Sequence, residues 1–189
     1  MSISDIRAQL ELEFAWRRDE IRHLHNKLMA DVDEPQRRLL RRPMILMLYA
    51  HYEGFVAVVL QAYVAYVNQQ GISCHQVTEA VLAGSWSSVF AAMESGDKKA
   101  EFFKNSLPND IALHRFARRR EFVEQLDGFL SRDVSLSDDV VDTESNLWPV
   151  VFRKNLYKLG LDFSSLDAFD GSISELLNRR NEIAHGALS

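Results

Sequence analysis

One cysteine, Cys74, stands in a chain of 189 residues, so no intramolecular disulfide can form and no cysteine-rich zinc site can be assembled. A lone cysteine fits a reducing compartment, and the expected location is the cytoplasm; Cys74 itself reads as a small buried hydrophobe. Glycine and proline are scarce, at eight and four, which leaves few tight turns and favours long helices. No pair of alternating segments flanks a hairpin turn, and no segment repeats. The first residues, MSISDIRAQLELEF, mix charges with apolar side chains and lack the basic-then-apolar order of a signal peptide. A net charge of −5 argues against wholesale coating of nucleic acid.

The remainder is ordinary globular protein. Apolar residues make up 47% of the chain, enough at this length for one real core, so a single domain over residues 1–189 is expected. The charge is uneven: Arg37, Arg38, Arg41 and Arg42 crowd one segment, Arg115, Arg118, Arg119 and Arg120 another, and acids gather between Asp133 and Glu144. Such basic faces can meet phosphate, although each also fits a solvated helix face with acidic neighbours.

The hydropathy pattern is helical throughout. Residues 4–30 form a first helix capped by Ser4, with Ile6, Leu10, Phe14, Ile21, Leu24 and Leu28 recurring at helical steps. Pro35 and Pro43 bracket a basic connection. From Met44 to Val67 the chain is apolar on nearly every side, which marks either the buried central helix of a bundle or a membrane span. His51, Glu53 and Gln61 inside this stretch favour the buried helix and no membrane, because ionisable groups are costly at bilayer depth. Further helices are predicted over 75–83, 85–94, 97–105, 110–130 and 146–159, the last ending at Gly160 in a C′ position. Residues 132–145 read as an acidic surface loop, and a terminal helix begins near Ser172. The fold class is all-α, an irregular helical bundle with a buried central helix.

The terminal helix carries an anomaly. At about 100° per residue, Ile173, Leu176, Leu177, Ile183 and Ala184 form one apolar stripe, and Arg180 falls near its middle. An unpaired guanidinium cannot face a core, so Arg180 either meets a carboxylate or borders a cleft or interface. Asn181 and His185 share a face, whereas Arg180 and His185 lie about 140° apart and do not touch on a straight helix. A site built on both therefore needs a second surface. The spacing by itself is weak evidence, since Arg18 and His23 repeat it on what reads as a solvated face.

Context separates the two copies. LLNRRNEIAHG resembles the signature of the HEPN superfamily, an all-α group containing many metal-independent ribonucleases, with Arg180, Asn181 and His185 in the motif positions. LMLYAHYEGFVAVVLQAYVAYV and ESNLWPVVFRKNLYKLGLD resemble its bacterial RiboL-PSP/MAE-type branch, so the likeness runs from about residue 45 to 186. Such domains usually continue into more helix after the motif, whereas this chain stops at Ser189. It is either truncated or lacks the family's last helix.

The resemblance implies an endoribonuclease of the toxin or phage-defence type, with no metal and no cofactor. RNA supplies its own nucleophile, the 2′-OH; a neutral histidine can take that proton and an imidazolium can protonate the leaving 5′-oxygen. Arginine can hold the phosphate and stabilise charge in the transition state. Acid and base together want two histidines, and the family answers this by joining two motifs across a homodimer. The implied catalytic set is Arg180, Asn181 and His185, with Asn181 orienting His185 or the phosphate, and Glu53, Arg179 and Glu182 in support. Glu53 is either the partner of Arg180 or Arg179, or a carboxylate reaching solvent at a helix crossing. Tyr49 and His51 either line the same cleft or serve the core. Implied partners are RNA, such as tRNA or mRNA, a second copy of the chain, and an antitoxin or sensor protein. Two other classes remain: an inactive HEPN domain binding RNA, nucleotide or protein, and a structural helical dimer with Arg180 in an interfacial salt bridge. His23 and His25 lack further metal ligands, and Trp16, Trp86 and Trp148 read as packing residues.

Overall fold

The computed structural model describes residues 2–30, 33–95, 99–105 and 110–186. The first helix, α1, spans Ile3–Met29. Its cap is Ser2 rather than Ser4: the Ser2 hydroxyl accepts from the Asp5 N–H at 3.2 Å while the Asp5 carboxylate takes the Ser2 N–H at 2.7 Å, satisfying two orphan donors at once.

The second helix, α2, runs unbroken over Glu34–Gln69, where the sequence suggested a connection ending at Pro43. Pro35 stands in the first turn, where its missing N–H is no loss. Pro43 removes the bond to the Leu39 carbonyl, but both residues lie on the exposed side, where water can take that carbonyl. The helix is long and apolar enough to cross a membrane. In the structure other elements pack along it instead, burying Tyr49, Val56, Leu60, Val64 and Val67. Helix α1 lies antiparallel on one side, with Phe14 against Phe55 at 5.7 Å and Trp16 edge-on to His51 at 5.3 Å.

Short pieces follow: a 3-10 turn at Cys74–Gln76, α3 at Glu79–Ser85, α4 at Ser87–Glu94 and a 3-10 turn at Glu101–Phe103. The helix expected over 97–105 is reduced to that turn, residues 97 and 98 lying outside the described residues. The predicted helix over 110–130 is broken at Gln125 into α5, Ile111–Glu124, and α6, Leu126–Leu130. The break brings the rings of Phe122 and Phe129 to 5.2 Å, and both set their edges against Trp86, at 5.4 and 6.0 Å. Packing on one tryptophan thus overrides helix continuity.

Residues 132–145 are not a mere surface loop. Val134 and Leu136, two apart and so on one side of an extended chain, are buried in the core. Asn68 of α2 holds the Leu136 backbone at both groups, at 2.7 and 2.8 Å, strapping the segment across the central helix. Helix α7 spans Pro149–Lys158, shorter than the 146–159 expected, so Asn146 sits in a turn ahead of it. Gly160 has φ +68° at the C′ position, as read from the sequence. A 3-10 turn, Ser164–Phe169, leads into α8, Asp170–Ala184, which starts two residues before the predicted Ser172. Cys74 is buried, as its type suggested. The described residues hold eight α-helices and no strand, an all-α architecture.

Candidate active site

Helix α8 is anchored at both levels that matter for Arg180. At its start, Asp170 accepts from Arg153 of α7 at 2.8 and 2.9 Å, and Asp167 from the same nitrogen at 2.6 Å. These bonds push the Arg153 guanidinium above its ordinary pKa, Asp170 contributing most. In the middle, Leu177 is fully buried. Arg180, three residues on and thus on the same face, is carried over α2 and lands on Tyr49, its guanidinium carbon 4.7 Å from the ring centre.

Tyr49 is held at its hydroxyl, which accepts from the Leu147 N–H at 3.1 Å, with the Glu53 charge close by, one turn along α2. Burial pushes its pKa up; the Leu147 N–H opposes that and the Glu53 charge reinforces it. The phenol is therefore neutral near pH 7. Tyr52 adds a second tie, its hydroxyl donating to the Leu147 carbonyl at 3.2 Å. Both backbone groups of Leu147, which is wholly buried, are thus held by α2 tyrosines.

That anchorage delivers Asn146. Glu144 and Ser145 adopt left-handed φ values of +52° and +60°, and the Asn146 N–H closes a turn onto the Thr143 carbonyl at 3.0 Å. The buried Asn155 of α7 stabilises the approach to this turn through the Asp142 N–H and carbonyl, at 2.9 and 2.8 Å. The Asn146 carboxamide oxygen then accepts from Nη1 of Arg180 at 2.9 Å, and the Asn181 oxygen accepts from the same nitrogen at 2.8 Å.

Of the alternatives left open for Arg180, a carboxylate is not what it meets among the described residues; two amides and a ring surround it. Among the described residues Glu53 pairs with neither arginine of the motif, and those two divide: Arg179 pairs with Glu175 at 3.1 Å on the outer face. Among the described residues Arg180 makes no ion pair. Glu182 is exposed on the same outer side as Arg179. The Asn181 side chain turns to Arg180 rather than His185; only its carbonyl serves His185, accepting the backbone N–H at 2.9 Å. His185 caps α8 with an exposed side chain, and Gly186 follows at φ +69°. No hydrogen bond joins Arg180 to His185 among the described residues, in keeping with their five-residue spacing.

His51 is separated from this site. Two residues from Tyr49, it points to the opposite side of α2 and meets Glu20 of α1 at 3.1 Å. The second Arg-His copy lies on α1, where Arg18 and His23 are exposed and the His23 ring faces the Asp19 carbonyl. Sequence reasoning missed Asn146. The signal was present in the block ESNLWP, where a polar residue precedes a fully apolar Leu-Trp-Pro helix start.

The all-α fold agrees with what comparison finds. The RiboL-PSP-HEPN family model matches residues 12–189, and the chain belongs to that family of the HEPN superfamily. Comparison with curated proteins gives no match, and comparison with solved structures gives none. Membership is consistent with a role in RNA cleavage or RNA binding.

Proposed function

We propose that the chain is a metal-independent endoribonuclease whose site is completed by a second copy. The observation that carries this reading is the state of Arg180. Nη1 spends its hydrogens on two neutral oxygens, so among the described residues the positive charge is oriented but not neutralised, and the Nε and Nη2 donors are unspent. That is what a group held ready for phosphate needs.

In the proposed reaction His185 removes the proton of the ribose 2′-OH. The 2′-oxygen forms a bond to phosphorus as the bond to the 5′-oxygen breaks, and the His185 of a second copy protonates the leaving oxygen. The products are a 2′,3′-cyclic phosphate and a 5′-hydroxyl. Arg180 holds the phosphate and offsets the charge gained in the transition state. The exposure of Leu39 and Leu46, seven apart and leading to Tyr49 along one side of α2, supports a homodimer covering this face. The proposed role is that of a toxin or defence effector acting on tRNA or mRNA, restrained by an antitoxin or sensor protein.

The test is incubation of the purified protein with total RNA and tRNA in EDTA, beside His185→Ala. Cleavage by wild type and none by the variant supports the proposal; equal cleavage by both sinks it. A second reading, an inactive domain that binds RNA, draws on the separation of Arg180 and His185 within one chain, and predicts RNA binding without cleavage.

A further inference from the structure

Asn146 is 34 residues from Arg180 in sequence, belongs to no helix, and has no part in the chemistry just described. Its only side-chain hydrogen bond among the described residues goes to Nη1 of Arg180. We infer that Asn146 is a positioning residue that sets the orientation of the Arg180 guanidinium while leaving its charge and its Nε–Nη2 edge for a phosphate oxygen pair. This rests on the reading of Arg180 as the phosphate-holding group.

A guanidinium has five N–H donors in a rigid plane, and the Nε–Nη2 edge is one of the two that can grip a phosphate through parallel bonds. With Asn146 and Asn181 both on Nη1, rotation about the end of the side chain is locked and that edge stays unspent among the described residues. The Tyr49 ring fixes the plane from one face. The support closes on itself: Tyr49 carries Arg180 on its ring and holds Leu147, next to Asn146, by its hydroxyl.

The choice of an amide over an acid is the informative part. Acids surround Asn146 in sequence, but Glu144 is turned to Lys154 and Asp142 accepts the Glu144 N–H. A carboxylate at position 146 would bind Nη1 more strongly and cancel the charge that a phosphate must find. Asparagine gives the same geometry without the neutralisation.

The experiment compares wild type, Asn146→Asp and Asn146→Ala for Tm, for cleavage of an RNA oligonucleotide, and for binding of the same sequence with 2′-deoxyriboses, which cannot be cut by 2′-OH attack. Asn146→Asp is nearly isosteric and keeps the bond to Arg180, so Tm should hold or rise while kcat/KM falls on the order of 10²-fold. Asn146→Ala should lower kcat by about 10-fold with KM within about twofold, since orientation rather than charge is lost. If Asn146→Asp lowers Tm and activity together, or both variants cleave as wild type does, the inference is overturned and the nuclease reading survives. If wild type cuts nothing, the nuclease reading falls, and the deoxyoligonucleotide decides. Weaker binding by a stable Asn146→Asp supports the inference; unchanged or absent binding overturns it.

Discussion

The Arg180 guanidinium rests on the Tyr49 ring at 4.7 Å, while the Tyr49 hydroxyl accepts the Leu147 N–H at 3.1 Å. One side chain from the central helix thus supports the motif arginine with its face and the loop beside it with its tip. Removing the two functions separately should give different results. Tyr49→Phe keeps the ring and strands a buried N–H, so it should destabilise by about 1–3 kcal/mol while preserving the affinity of Arg180 for a phosphodiester. Tyr49→Ala should lose both stability and affinity. Thermal unfolding and oligonucleotide binding, measured side by side, check this; equal loss of affinity in the two variants would contradict it.

His185 is exposed at the end of α8 and its side chain supports nothing in the core. Its replacement by alanine should change stability by no more than about 0.5 kcal/mol. Cleavage should nevertheless be abolished while the oligomeric state, read by light scattering, stays that of wild type.

Gly160 ends α7 at φ +68°, and a Cβ there would stand 2.7 Å from the Thr78 hydroxyl oxygen. Backbone strain and the clash act together, so Gly160→Ala should destabilise by more than about 1 kcal/mol. Thr78→Ala should recover part of the loss, because it removes the worst contact and leaves the strain and the 3.3 Å approach to the Ala80 Cβ. Tm values for the single and double variants test that order.

Tyr49, Tyr52 and Tyr63 all have pKa values raised by burial, Tyr52 most of all. In the unfolded chain they ionise near their ordinary value of about 10. The folded state then retains protons that the unfolded state releases, so stability is full below pH ~10 and falls as pH rises beyond it. Tyrosinate absorbance from these three should appear together with loss of helical circular dichroism. Ionisation of these three well before unfolding would refute the expectation.

Arg180 could be singled out from the primary structure because helical periodicity is local. A charged residue among Ile173, Leu177 and Ile183 is visible without knowing what lies opposite. Gly160 could be placed for the same reason, as a C′ glycine needs only its own helix. His51 and Tyr49 show the limit. Both are polar-tipped residues in one apolar helix, and only the packing of α1 on one side and α8 on the other sends them to different places. Pro43 was misread because a proline weakens a helix without always ending it, and here the freed Leu39 carbonyl lies on the exposed side, where water can reach it.

By itself the sequence determined the all-α class, the motif on the last helix and the misplaced charge of Arg180, all consequences of 3.6-residue periodicity along single segments. What surrounds that charge was decided by tertiary structure. Asn146 and Tyr49 lie 34 and 131 residues away from it in the chain, and no local pattern records contacts across such distances. Folding brought a second amide and a ring, not a carboxylate, to join the neighbouring Asn181 around Arg180, and so left its positive charge without an ion pair among the described residues.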